Sequence, residues 1–147
     1  MATLSEISWD TFNAATLSEK AGYMQTPDGK LEHVIVAQQF TRERLDALGE
    51  LATRIRRIAK LYEGNRFLQS LLAHKRAMLY FTQPSTRTFL SFCAACQILG
   101  FKIGEVRDTA TSSEYKGESP EDSVRTFSSY FDLIVMRSRI AGLAERM

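Results

Sequence analysis

Apolar residues recur along this chain in two rhythms. Leu45, Leu48, Ala52, Ile55 and Ala59 fall three or four apart and predict an α-helix with one apolar stripe. Thr41 is placed to cap its start, Glu43 and Asp46 lie in its early turns, and Arg54, Arg56, Arg57 and Lys60 occupy the other face. "FLQSLLAHK" predicts a second helix. The run from Ala77 to Phe81 is short and continuously apolar, the pattern of a buried strand. After Pro84 a further helix carries Phe92, Cys96 and Leu99 on one side, and Gly100 closes it. "FKIGEV" predicts a second strand and "LIVM", at 133–136, a third. Between them Ser119 starts a helix with Pro120 at its first position, Glu121 and Asp122 in its first turn, and Val124, Phe127 and Phe131 facing inward.

The remaining segments lack such rhythm. Residues 1–32 alternate polar, small and turn-forming residues up to "TPDGK", which predicts a loosely structured arm with room for one short helix. "HVIVAQQF" predicts a short extended segment, and "RDTATSSEYKGES" a loop. The alternation of strand and helix predicts an α/β fold, a parallel sheet with helices on both faces and right-handed crossovers.

Composition narrows the classes. At 147 residues the chain has the size of one domain, and a net charge of +2 argues neither for nor against an anionic partner. Cys93 and Cys96 are too few for a disulfide framework, and no second Cys or His pair supports a metal, so both are expected to pack in the core. No apolar run approaches the roughly 20 residues that span a bilayer, so no membrane partner is expected. The first 20 residues contain no basic region followed by an apolar block, so a cytoplasmic location is expected. The basic face of the first long helix comes without an aromatic or Gly-rich RNA-binding pattern and reads as solvated, with no nucleic acid expected.

Chemistry concentrates in "QPSTRTFLSF", where Ser85, Thr86, Arg87 and Thr88 fall between a strand and a helix. Ligands of open parallel sheets bind at the carboxyl ends of the strands. A helix start there offers unpaired N–H groups, the three hydroxyls add donors, and Arg87 can hold two oxygens of a phosphate. Arg137 follows the third strand, and the loop with Ser112, Ser113 and Lys116 follows the second. The same residues also suit an ordinary capped helix start with a solvated arginine, and the spacing matches neither the P-loop nor the dinucleotide fingerprint. On residue types alone both readings stay open.

"YFTQPSTRTFLSF" resembles the signature of the aspartate and ornithine carbamoyltransferases. "TSSEYKGES" resembles the mobile loop of that family and "DLIVMR" its next strand, so the likeness runs from about His33 to Arg137. Lys116-Gly117-Glu118 points to the aspartate type. The resemblance implies transfer of a carbamoyl group from carbamoyl phosphate to the amino group of aspartate, a step of pyrimidine biosynthesis, with no cofactor. It implies that residues 33–147 form a partial carbamoyl-phosphate-binding domain behind an arm at 1–32. Ser85, Thr86, Arg87 and Thr88 would bind the phosphate, Thr88 and Arg137 would polarise the carbonyl, and Ser112 and Lys116 would reach into a neighbouring subunit of a trimer.

This chain departs from the family pattern "RTR.SFE" at Phe89 and Cys93, and has Ser138-Arg139 where His-Pro is usual. Its histidines, His33 and His74, lie outside the three motifs and read as structural or surface residues. The family's acceptor domain has no counterpart up to Met147, so the chain alone is expected to be inactive and to expose an apolar patch. The alternative is a catalytically silent phosphate-binding or assembly scaffold derived from the same family.

Overall fold

In the computed structural model, which describes residues 4–107 and 117–147, a 3-10 turn (Leu4–Glu6) precedes α1 (Trp9–Ala14) and α2 (Leu17–Tyr23). A second 3-10 turn (Ala37–Gln39) leads to α3 (Arg42–Ile58) and α4 (Tyr62–Leu71). Then follow β1 (Arg76–Phe81), α5 (Thr86–Ile98), β2 (Lys102–Val106), α6 (Pro120–Tyr130), β3 (Leu133–Arg137) and α7 (Leu143–Arg146). The chain divides into two compact units, Met1–Ala52 and Thr53–Met147.

The second unit carries the sheet. β1 is central in the order β2-β1-β3, and both pairings are parallel, with Ala77 opposite Ile103 on one side and Leu133 on the other. A central strand covered on both faces cannot alternate polar and apolar residues, and Ala77 to Phe81 are all buried. Phe89 and Cys96 of α5 pack on the face formed by Ala77, Leu79 and Phe81, where the Phe81 and Phe89 rings meet edge to face at 5.4 Å. On the other face Phe127 of α6 meets Tyr80 at 5.4 Å. The expected parallel sheet with helices on both faces is therefore present.

The buried side of α5 includes Cys96 as expected but takes Phe89 in place of Phe92. Phe92 is 43% exposed, whereas Phe89 and Cys96 are buried and Cys93 packs beside them. Burial pushes the Cys96 thiol up, as suits a packing residue. The helix ends as expected at a glycine. Gly100 adopts φ +87° and donates to the Gln97 carbonyl (3.1 Å), while the Phe101 N–H reaches the Cys96 carbonyl (2.9 Å). These two bonds are the Schellman pattern, which satisfies carbonyls that the helix leaves open.

At the amino ends of the strands Asp132 fixes the register of β3 against β1. Its carboxylate accepts from Lys75 Nζ (2.8 Å) and from the Arg76 N–H (2.9 Å), while its own N–H donates to the Arg76 carbonyl (2.9 Å). The bond from Lys75, then that from Arg76, hold this carboxyl below its ordinary value. A depressed folded value means that the contribution is present above the ordinary carboxylate range and lost as pH falls through the lowered one. Below about pH 4 the parent should therefore lose stability more steeply than Asp132→Asn, as read from urea midpoints at neutral and acid pH.

The first unit is more ordered than the loose arm expected. Ser8 caps α1 through the Thr11 N–H (3.2 Å), and Thr16 and Glu19 form a reciprocal capping box at α2. Phe12, Ala21, Met24 and Val36 make a small core. "HVIVAQQF" joins no named strand. Val36 is extended, and the buried Gln39 side chain takes the place of a neighbouring strand, accepting from the Ile35 (2.8 Å) and Val36 (3.0 Å) N–H groups and donating to the His33 carbonyl.

Two helical expectations change. α4 starts at Tyr62, earlier than "FLQSLLAHK", and buries Leu68. No residue of α3 is buried; of its apolar stripe Leu45 and Leu48 are 52% and 43% exposed, while Ile55 and Ala59 are half-buried. Apolar spacing states which face a helix could bury; it does not supply a partner. The face of Arg54, Arg56, Arg57 and Lys60 is exposed as expected.

Candidate anion-binding site at the strand ends

β1 and β3 end side by side, and their last residues feed one cluster. Thr82 and Gln83 follow β1, Ser85 stands at the N-cap of α5, and Thr88 lies in its first turn. Arg137, the last residue of β3, folds onto all of them. Its Nη1 donates to Ser85 Oγ (3.0 Å) and to Thr88 Oγ1 (3.1 Å), and its Nε donates to Gln83 Oε1 (3.2 Å). The Arg137 carbonyl accepts from the Gln83 N–H (3.2 Å) and from the Thr82 hydroxyl (3.5 Å). Both ends of this arginine are thereby held.

The bonds to Arg137 decide what the hydroxyls can do. A hydroxyl has one hydrogen to give and lone pairs to accept with. Ser85 and Thr88 accept from the guanidinium, so each keeps its hydrogen for something else. Such a cluster offers donors and positive charge, and it suits a ligand made of acceptors, an oxyanion above all.

Ser85 also departs from the plain capping reading. It occupies the N-cap with φ −164° and ψ 94°, yet its side chain makes no capping bond. Ser8 and Ser119, at other helix starts, each accept a backbone N–H bond. The first N–H groups of α5 are therefore not covered by their own cap residue.

The structure brings Ser85, Thr88 and Arg137 together and sets Thr86 and Arg87 on the exposed first turn of α5. Ser112 and Lys116 lie outside the described residues. Among the described residues, no cluster of His, Cys, Asp and Glu is arranged to hold a metal, and no helix is long and apolar enough to cross a membrane. His33 and His74 are both exposed.

Two contributors escaped the sequence reading. Gln83 anchors Arg137, and Arg107 lines an open cavity of about 250 Å³ with Phe81, Pro84, Ser85, Thr86 and Phe89. Arg107 directly follows β2, so its position at a carboxyl end was the available signal. The departures from "RTR.SFE" also make sense together. Phe89 and Cys93 stand one turn apart on α5, and both turn into the apolar cluster beneath the cavity. Ser138, at the usual His position, closes a turn by accepting the Ile140 N–H (3.1 Å).

Residues 32–147 match the family described as aspartate/ornithine carbamoyltransferase, carbamoyl-P binding domain. The aspartate carbamoyltransferase catalytic subunit of Methanosarcina acetivorans is 39% identical over 115 residues, covering 78% of this chain and 36% of that protein. The chloroplastic aspartate carbamoyltransferase 1 of Pisum sativum is 40% identical over 121 residues, 80% of this chain and 30% of that protein. Among solved structures, aspartate transcarbamoylase from Trypanosoma cruzi in complex with carbamoyl phosphate and aspartate superposes with a TM-score of 0.68 at 34% identity, covering 77% of this chain and 33% of that one. The chain thus spans about a third of the length of these relatives. A parallel sheet whose strand ends gather Ser85 and Thr88 of "STRT" under the arginine of "DLIVMR" agrees with that match, and the chain belongs to the aspartate/ornithine carbamoyltransferase family through its carbamoyl-phosphate-binding domain.

Proposed function

We propose that Ser85, Thr86, Arg87, Thr88 and Arg137 bind carbamoyl phosphate, and that the activity served is transfer of its carbamoyl group to the amino group of aspartate. The observation that carries this reading is the Arg137 guanidinium held between Ser85 and Thr88, with both hydroxyl hydrogens left for a ligand. The amine attacks the carbonyl carbon, a C–N bond forms, and negative charge grows on the carbonyl oxygen. Arg137 and Thr88 are the groups assigned to that oxygen. The C–O bond to phosphate then breaks and the amine loses a proton, giving carbamoyl-aspartate and phosphate. Ser85, Thr86 and Arg87 take the phosphate, the charge of which matches the α5 start.

The names of the relatives support the aspartate type. The division into an arm at 1–32 and a carbamoyl-phosphate domain at 33–147 belongs to the same proposal. So do a trimer with Ser112 and Lys116 shared between subunits and a cytoplasmic location; all rest on the resemblance and the sequence.

Calorimetric titration of the chain with fresh carbamoyl phosphate tests the binding. Saturable binding is expected, weakened by at least about tenfold in Arg87→Ala, since a charge-assisted fork is lost. A folded chain that does not bind overturns the proposal. Binding without formation of carbamoyl-aspartate from added aspartate favours the silent-scaffold reading for this chain.

A further inference from the structure

We propose that Arg107 is a third cation of this site and grips the phosphate group of the ligand from the β2 side. The inference rests on the phosphate-binding reading above and adds a residue to it. Arg107 is the first residue after β2, and it shares the wall of the cavity with Ser85 and Thr86. Its guanidinium carbon lies 4.3 Å from the centroid of the Phe89 ring. Phe89 is itself 4% exposed and held edge to face against Phe81. An arginine at a strand end would otherwise sweep through many rotamers. Here a fixed aromatic face gives its cation a seat.

Stacking engages the flat face of a guanidinium and leaves its N–H edge for hydrogen bonds. Among the described residues no carboxylate pairs with Arg107. The edge is thus available to an anion in the cavity, across from the start of α5. Phe89, which stands where the "RTR.SFE" pattern has its second arginine, gains a role: it places a charge that the end of β2 supplies.

Titration calorimetry with inorganic phosphate and with carbamoyl phosphate tests this, using the full chain and circular dichroism as a folding check. Arg107→Ala is expected to weaken both ligands alike, by about tenfold, because the contact is to the phosphate they share. Arg107→Lys keeps the charge without the planar fork and should recover only part of the loss. Phe89→Leu should weaken binding several-fold and add nothing to Arg107→Ala, because it acts through that arginine. If Arg107→Ala binds like the parent while Arg87→Ala does not, Arg107 has no such role and the phosphate-binding reading stands. If the folded parent binds neither ligand, both fall. Should Phe89→Leu not fold, the Ala and Lys variants at 107 still decide.

Discussion

Gly100→Ala is expected to destabilise the sheet-bearing unit by more than about 4 kcal/mol, a large share of the stability of a domain. Two penalties combine at this position. With φ at +87°, any side chain adopts a left-handed backbone that costs about 1–2 kcal/mol. A Cβ would also lie 1.8 Å from the Gln69 carbonyl oxygen and 2.8 Å from its carbon. Both atoms are backbone, so no rotamer change relieves the overlap. The Leu72 N–H donates to the Leu99 carbonyl (3.0 Å), so the ends of α4 and α5 are tied and cannot simply part. Gly142→Ala is the control. It has φ +70°, but its new Cβ would meet nothing nearer than the tip of Arg146 at 3.6 Å, so only the backbone penalty applies. Urea midpoints of the two variants should differ widely; equal midpoints would mean that α4 and α5 separate at little cost.

Arg137→Ala is expected to weaken carbamoyl phosphate on the order of a hundredfold while leaving the fold intact. The change removes a charge and also releases Gln83, Ser85 and Thr88, which that guanidinium orients. Arg137→Lys should fall between. An ammonium can replace the charge but cannot donate to all three partners in the geometry of a planar fork. Titration calorimetry reads both variants. A lysine variant as tight as the parent would reduce the role of Arg137 to charge alone, and an alanine variant as tight would remove it from the site.

The sheet was legible in the sequence because a strand buried on both faces must be apolar throughout, and the short length and position of Ala77 to Phe81 favoured a strand where periodicity alone does not separate it from a helix. Ser119-Pro120 and Gly100 marked helix boundaries by chemistry that is local to the chain. The misreadings have a common cause in contacts that lie outside the segment. The stripe of α3 had the right period, yet Leu45, Leu48 and Ala52 are exposed and Ile55 and Ala59 only half-buried. In α5, Phe92 and Phe89 are both apolar, and only Phe81 across the gap selects Phe89. In the first unit the capping box of Thr16 and Glu19 was a readable signal, masked by the polar residues around it. At the site, the motif residues could be named in advance, but the bond from Arg137 to Ser85 spans 52 residues and follows from the β1–β3 register alone. Gln83 lies inside the signature, which implies no role for it, and Arg107 carries no motif, so that position was its sole mark.

The place of β1 between its neighbours also sets an order of assembly. β2 returns to β1 over α5, a local closure, whereas Asp132 reaches Arg76 from 56 residues away and Arg137 reaches Thr88 from 49. Distant pairings tend to form late, because chain entropy is lost before their contacts accumulate. The hydroxyl-bearing helix start therefore exists before its arginine arrives, and competence to hold an anion comes with the docking of the last strand. By mass action an anion that needs both halves favours that docked form over its precursor. Occupancy of the proposed site would then work as a latch on β3, and recovery of binding during refolding is expected to trail recovery of helix.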